Sequence, residues 1–238
     1  MTMPTATQPT FPPLMTGMAV TGDPMETAIL HAIKGCDAGL ICYRTAADRV
    51  GAALVFAPEV PLEDAMAMLP LCGVGFQNAL GALAPPEVAV HLEWSGGIRV
   101  NGAACGAFSA CASTRDPGAV PDWLVIGFDV PLWPQEDAPG LTPDRTALHV
   151  EGCAEVDPGL LVEAWARHTL NWIARWEAQG HAPLHAEWRG LAHGVGEDAE
   201  QNGLRGVFLG VDERFGMLLR DTETTHLIPL TMLLGTTP

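Results

Sequence analysis

The chemistry available to this chain is concentrated in one short stretch, Leu92 to Ala107, which reads L-E-W-S-G-G-I-R-V-N-G-A-A-C-G-A. Asn101-Gly102 is a strong hairpin dipeptide, because both central positions of the tight turn need φ > 0. Ser95-Gly96-Gly97 supplies a second turn just ahead of it, beside Trp94. The strand that follows, Ala103 to Ala107, is built of small residues, so something can approach its backbone closely. This marks Trp94, Gly96, Gly97, Asn101, Gly102, Ala104, Gly106 and Ala107 as candidate ligand contacts. Cys105 sits among them as a candidate nucleophile. A reactive thiol needs a cation or imidazole nearby to lower its pKa, and Arg99 and His91 are the neighbours on offer. A small buried residue is the preferred reading of Cys105. Arg44 and Arg49 flank the short stretch Thr45 to Asp48. A guanidinium can grip carboxylate or phosphate with two parallel hydrogen bonds.

Composition narrows what such a site could serve. The chain has 238 residues, a hydrophobic fraction of 48% and a formal net charge of −16. That charge argues against nucleic acid, whose affinity comes largely from Lys and Arg on phosphates, and against an anionic membrane surface. Lys34 is the single lysine among 12 basic residues, so any chemistry requiring lysine must use it or do without. The six cysteines lie in apolar surroundings with no C-x-x-C and no zinc spacing, as expected of reduced thiols in a cytoplasmic protein. His181, His185 and His193 lack the glutamate of an H-E-x-x-H metal motif. They are expected to be surface or capping residues, and no metal site is expected. The first residues show no basic-then-apolar signal pattern, and the apolar run Ala65 to Ala84 contains Pro70, Gln77 and Asn78. A buried core helix, not a membrane span, is expected there.

The elements that must position these residues can be read from punctuation and periodicity. Asp23-Pro24 opens a helix that Gly35 stops, and Asp157-Pro158 opens another that ends at Gly180. On the second, Leu161, Trp165, His168, Trp172 and Trp176 recur at helical spacing and read as core packing. A third helix begins near Leu62 and stops at Pro85-Pro86. Strands are expected over 39–43, 52–56, 88–94, 103–107 and 123–130, with a proline-rich acidic loop between Pro131 and Asp144. From Leu204 the pattern is purely β. The expected core includes Leu54, Phe56, Leu69, Leu92, Val100, Val125, Ile126, Leu161, Trp165 and Trp172. These readings give an α+β fold with a mixed sheet: an arm over 1–12, a main domain over 13–195 and a small β-rich C-terminal domain over 196–238.

This order of elements resembles the biotin protein ligase and lipoate–protein ligase family over roughly Phe11 to Gly235, including the small C-terminal domain of the biotin ligases. Leu92 to Gly97 stands where the family carries K-W-P-N-D. Val100 to Ala107 stands where it carries V-N-G-x-K-x-x-G, and Leu124 to Asp129 resembles its I-G-I-G-x-N strand. The resemblance implies ATP with biotin or lipoate, carboxylate adenylation, and an acyl-carrier-type protein as acceptor. The departures are specific. The family's lysine falls on Ala104, its D-S-T appears as Asp23-Pro24-Met25, and its glycine-rich basic loop is reduced to R-T-A-A-D-R-V, Arg44 to Val50. A degenerate member that binds a small carboxylate or acyl ligand, or a partner, without efficient adenylation is the expected function. Two alternatives stay open at this point: a ligase using Arg44, Arg49 or Arg99 for phosphate, and a cysteine-dependent octanoyl or lipoyl transferase.

Overall fold

The computed structural model describes residues 8–134 and 144–235. Seven strands form the main sheet: β1 (Thr16–Ala19), β2 (Leu40–Thr45), β3 (Arg49–Phe56), β4 (Val90–Leu92), β5 (Gly97–Val100), β6 (Ala103–Ala112) and β7 (Leu124–Pro131). Their spatial order is β1-β2-β3-β7-β6-β5-β4. The β1–β2 pair is parallel and every other neighbouring pair is antiparallel, so the sheet is mixed.

Register decides which side chains share a face, because residues directly opposite in antiparallel strands point the same way. Phe108 opposes Phe128, and Ala110 opposes Ile126. This set meets α3 (Met68–Leu83) and α4 (Pro158–Gln179), where Phe76, Phe108, Phe128 and Trp165 make edge-on and tilted ring contacts. The opposite set includes Cys111 with Val125, Ser109 with Gly127, and Ala107 with Asp129. Part of that face is covered by α1 (Pro24–Ile33), whose Ala28, Ile29 and Ala32 pack on Cys42, Ala53, Val55 and Val125.

The helices begin where the punctuation says they should. The Asp23 carboxylate accepts hydrogen bonds from the Met25 and Glu26 amides at 2.7 and 3.1 Å. Asp157 does the same for Gly159 and Leu160 at 2.7 and 3.1 Å, each followed by proline at the first helical position. The apolar run expected as one helix is divided into α2 (Leu62–Ala65) and α3. The stretch Leu62–Leu83 is long and apolar enough to cross a membrane, but 72% of its apolar window is buried inside the fold. Two indoles fix α4 against α3: Trp165 Nε1 donates to the Cys72 carbonyl at 3.1 Å, and Trp172 Nε1 donates to Asn78 Oδ1 at 2.8 Å. At Gly75 the helices run so close that a Cβ would stand 2.6 Å from Thr169 Oγ1.

Of the expected core residues all are buried except Phe56, which is half-buried at the end of β3. The sequence did not announce β1, α5 (His181–Leu191) or β8 (Asp198–Gln201), nor the short helical turns at His149–Cys153 and Leu230–Leu233. Gly180, at φ +70°, separates α4 from α5, and α5 buries only Leu184 and Trp188. The C-terminal β-rich part pairs β8, β9 (Leu204–Val211), β10 (Met217–Arg220) and β11 (Thr225–Ile228) antiparallel in the order β11-β10-β9-β8. It is tied to the main sheet by Trp94 Nε1 donating to the Phe215 carbonyl at 2.7 Å and by Gly235 N donating to the Ala110 carbonyl at 2.9 Å. Residues 8–12 run alongside the main body: Thr10 donates through its amide and hydroxyl to Glu163 Oε2, and Phe11 packs tilted on Tyr43. The expected acidic loop falls mostly on 135–143, and the expected arm partly on 1–7. Both stretches lie outside the described residues.

Candidate functional site

Because α1 covers only part of its face of the sheet, a groove of about 540 Å³ opens over β6 and β7. Its floor is the small-residue strand: Ala104, Gly106, Ala107 and Ser109 line it together with Asp129. Its walls are Arg49 at the start of β3, Pro131 and Pro134 beyond β7, and Arg145 and Thr146. Two structural reasons account for the glycine in the floor. Gly106 has φ +106°, and a Cβ there would collide with the Asp129 carbonyl and stand 2.9 Å from Val130 Cα. The backbone of β6 therefore needs glycine for its own packing on β7.

The charges of the groove are largely committed to one another. Arg49 grips Asp129 with Nε at 3.0 Å from Oδ1 and with Nη2 on Oδ2. This pairing raises the Arg49 pKa further, hydrogen bonding to Asp129 being the main cause. Arg44 lies beside the same carboxylate, at 3.8 Å. The connection between β2 and β3 is a three-residue turn, Ala46 to Asp48, closed by Ala46 N on the Arg49 carbonyl at 2.9 Å. It has no glycine and no length to fold over a ligand.

The sequence candidates separate into groups. Arg49, Ala104, Gly106 and Ala107 are together in the groove, with Arg44 next to its Asp129. Trp94, Gly96 and Gly97 line a different, very small pocket of about 20 Å³ with Leu69, Trp188 and Phe215. There Trp94 is buried and serves the contact with the C-terminal sheet. Gly96, at φ +96°, passes so close to β6 that a Cβ would lie 2.6 Å from the Phe108 carbonyl. Asn101 and Gly102 form the expected positive-φ turn away from the groove. The Asn101 side chain accepts from Ala89 N at 3.0 Å and donates to Glu151 Oε2 at 2.8 Å. Arg99 is taken up by Glu93 Oε1 at 2.5 Å and the Gly102 carbonyl at 2.7 Å. Cys105 is fully buried, and burial pushes its thiol up to about 12, with Cys153 and Glu151 adding to the shift. Burial and the raised pKa both work against a reactive thiolate at this position.

Sequence reasoning missed Asp129, Ser109, Arg145 and Thr146 as groove residues. The register of β6 on β7 places Asp129 opposite Ala107. Arg145 arrives through a single bridge to Ala104 that no local pattern announces. A larger apolar groove, about 870 Å³, runs between Phe56–Val60 and the C-terminal half of α4. Among the described residues neither arginine nor lysine lines it.

This architecture, a mixed sheet with helices on both faces and a small antiparallel sheet behind it, is that of the biotin protein ligases. The biotin protein ligase of Aquifex aeolicus superposes with a TM-score of 0.72 at 13% identity, covering 90% of this chain and 96% of that one. The Leishmania major enzyme, solved with biotinyl-5-AMP, gives 0.57 at 14% identity over 91% and 99%. At these identities the likeness is one of fold. A biotin protein ligase-like protein of unknown function from Silicibacter sp. TM1040 is 61% identical, with a TM-score of 0.91, covering 96% of this chain and 100% of that chain. No curated protein matches the chain significantly. The model of the biotin/lipoate A/B protein ligase family matches residues 11–190, and the chain belongs to that family. A domain of unknown function (DUF4444) matches residues 195–236.

Proposed function

We propose that this protein is a divergent member of its family that binds a small carboxylate or acyl ligand in the β6–β7 groove without efficient adenylation. One observation carries the reading: Ala104, where the family pattern has lysine, is a methyl group in the groove floor, and the guanidinium that lines the groove from the β2–β3 side, Arg49, is committed to Asp129. Adenylation builds negative charge on the reacting carboxyl and phosphoryl oxygens, and enzymes stabilise it with positioned cations and N–H donors. Removing one such donor costs about 3–4 kcal/mol, or two to three decades in rate. Here the lysine is replaced, the covering loop is a three-residue turn, and Asp129 adds a carboxylate to the groove lining. The D-S-T hydroxyls are also missing, since Asp23-Pro24-Met25 is spent on capping α1. The residues present therefore do not fit ATP in the way the family pattern implies. A thioester route through Cys105 finds no support in a buried thiol of raised pKa. The test is pyrophosphate release with ATP and biotin, lipoate or octanoate, run beside direct binding of each acid. Binding without release is expected; robust release overturns the reading.

A further inference from the structure

The cation missing from Ala104 has a neighbour that could replace it. Ala104 N donates to the Asp144 carbonyl at 2.8 Å, and Thr146 N donates to the Ala104 carbonyl at 2.9 Å. These two bonds lay residues 144–146 alongside the floor strand, so that Arg145 is the direct bridge partner of Ala104. Both residues line the groove. The segment is held from behind, because Thr146 Oγ1 bonds the Glu151 carboxylate and Asn101 Nδ2 bonds its other oxygen at 2.8 Å. Arg145 itself is exposed and forms no ion pair among the described residues.

We infer that Arg145 is the ligand-binding cation of the groove, supplying from the adjoining segment the positive charge that the family pattern places at Ala104, and that it takes the carboxylate of a small ligand lying on β6. This rests on the proposed carboxylate-binding function and adds the residue that recognises the charge. The other charges that line the groove, Arg49 and Asp129, and those next to them support the choice. Arg49 and Asp129 satisfy each other, with Arg44 beside them and Asp48 next to Arg49 in the chain. Glu151 is occupied by Thr146 and Asn101. Arg145, with no ion pair among the described residues, presents a fork of N–H donors matched to the two oxygens of one carboxylate. A triphosphate would need several such donors.

The experiment compares octanoate with octanamide, and biotin and lipoate with their amides, by calorimetry on the full chain. The wild type is expected to bind at least one of the acids roughly tenfold or more tightly than its amide, the size of a charge-assisted contact. Arg145→Gln and Arg145→Ala should bring that acid down to the level of its amide and leave the amide unchanged, with melting temperature as the check on folding. The double variant Ala104→Lys with Arg145→Ala should restore the preference for the acid. Retention of the full preference in both single variants overturns the role of Arg145 while leaving the carboxylate-binding reading intact. Failure of all three acids to bind the wild type overturns both.

Discussion

Replacing Trp94 by phenylalanine separates a structural indole from a ligand contact. The side chain is buried, and its Nε1–H donates to the Phe215 carbonyl at 2.7 Å. Phe215 is itself 1% exposed and surrounded by His181, His185 and Trp188. Phenylalanine keeps most of the apolar area but leaves the Phe215 carbonyl without its donor in a water-poor site. An unsatisfied buried acceptor costs about 1–3 kcal/mol. For a chain of this length each kcal/mol is worth about 2–4 °C in melting temperature. Trp94→Ala removes the ring as well and should cost about 3–5 kcal/mol. The assay is thermal and urea unfolding of wild type and both variants, with carboxylate binding measured on each folded protein. The expected result is a graded loss of stability with unchanged affinity, because the groove lies over β6 and β7 and Trp94 does not line it. Unchanged stability together with lost binding would refute the reasoning and return Trp94 to the site.

Three further outcomes follow from the same geometry. Gly106→Ala forces a Cβ at φ +106° into the backbone of β7 and should destabilise by about 2–3 kcal/mol; urea unfolding checks it, and a neutral result would mean that β6 is free to move. Burial lowers the pKa of His149 and of His168, with Arg167 adding to the latter, so the unfolded chain binds more protons below their ordinary value near 6.5. Stability should therefore be fully present above about pH 6.5 and fall as the solution is acidified toward pH 5, whereas a rise over that window would contradict the sign. Iodoacetamide on the native protein should find Cys36, which is half-buried, well before the buried Cys72, Cys105 and Cys153, and should leave carboxylate binding intact; rapid stoichiometric labelling of Cys105 would contradict the account of its thiol.

Much of the fold was legible because local signals agreed with one another. Asp23-Pro24 and Asp157-Pro158 each announced a helix start, and the Asn101-Gly102 turn appears with both residues at positive φ. The helix α5 was not legible, because only Leu184 and Trp188 are buried on it and Gly180 reads as a stop. Nor was β1, a four-residue edge strand with three exposed residues, whose parallel pairing with β2 is non-local. The site was legible only in its floor. Small residues in β6 pointed to close approach at Ala104 and Ala107, but Trp94 and the Gly96-Gly97 turn, adjacent in sequence, face a different neighbour. Alternation in a strand and a turn ahead of it do not say which sheet face a ligand occupies. Asp129 in the floor and Arg145 in the wall are brought in by strand register and by one bridge across a long connection. Sequence spacing carries no trace of either contact.

The most direct test of the account is pyrophosphate release with ATP and each of biotin, lipoate and octanoate, for the wild type and for Ala104→Lys. The account predicts that the wild type binds acid and releases no pyrophosphate above background. It predicts the same of Ala104→Lys, because the β2–β3 turn still spans only Ala46 to Asp48 and Asp129 still holds Arg49. Sustained release by the wild type would contradict it, and would mean that Arg44, Arg49 or Arg145 carries the phosphate.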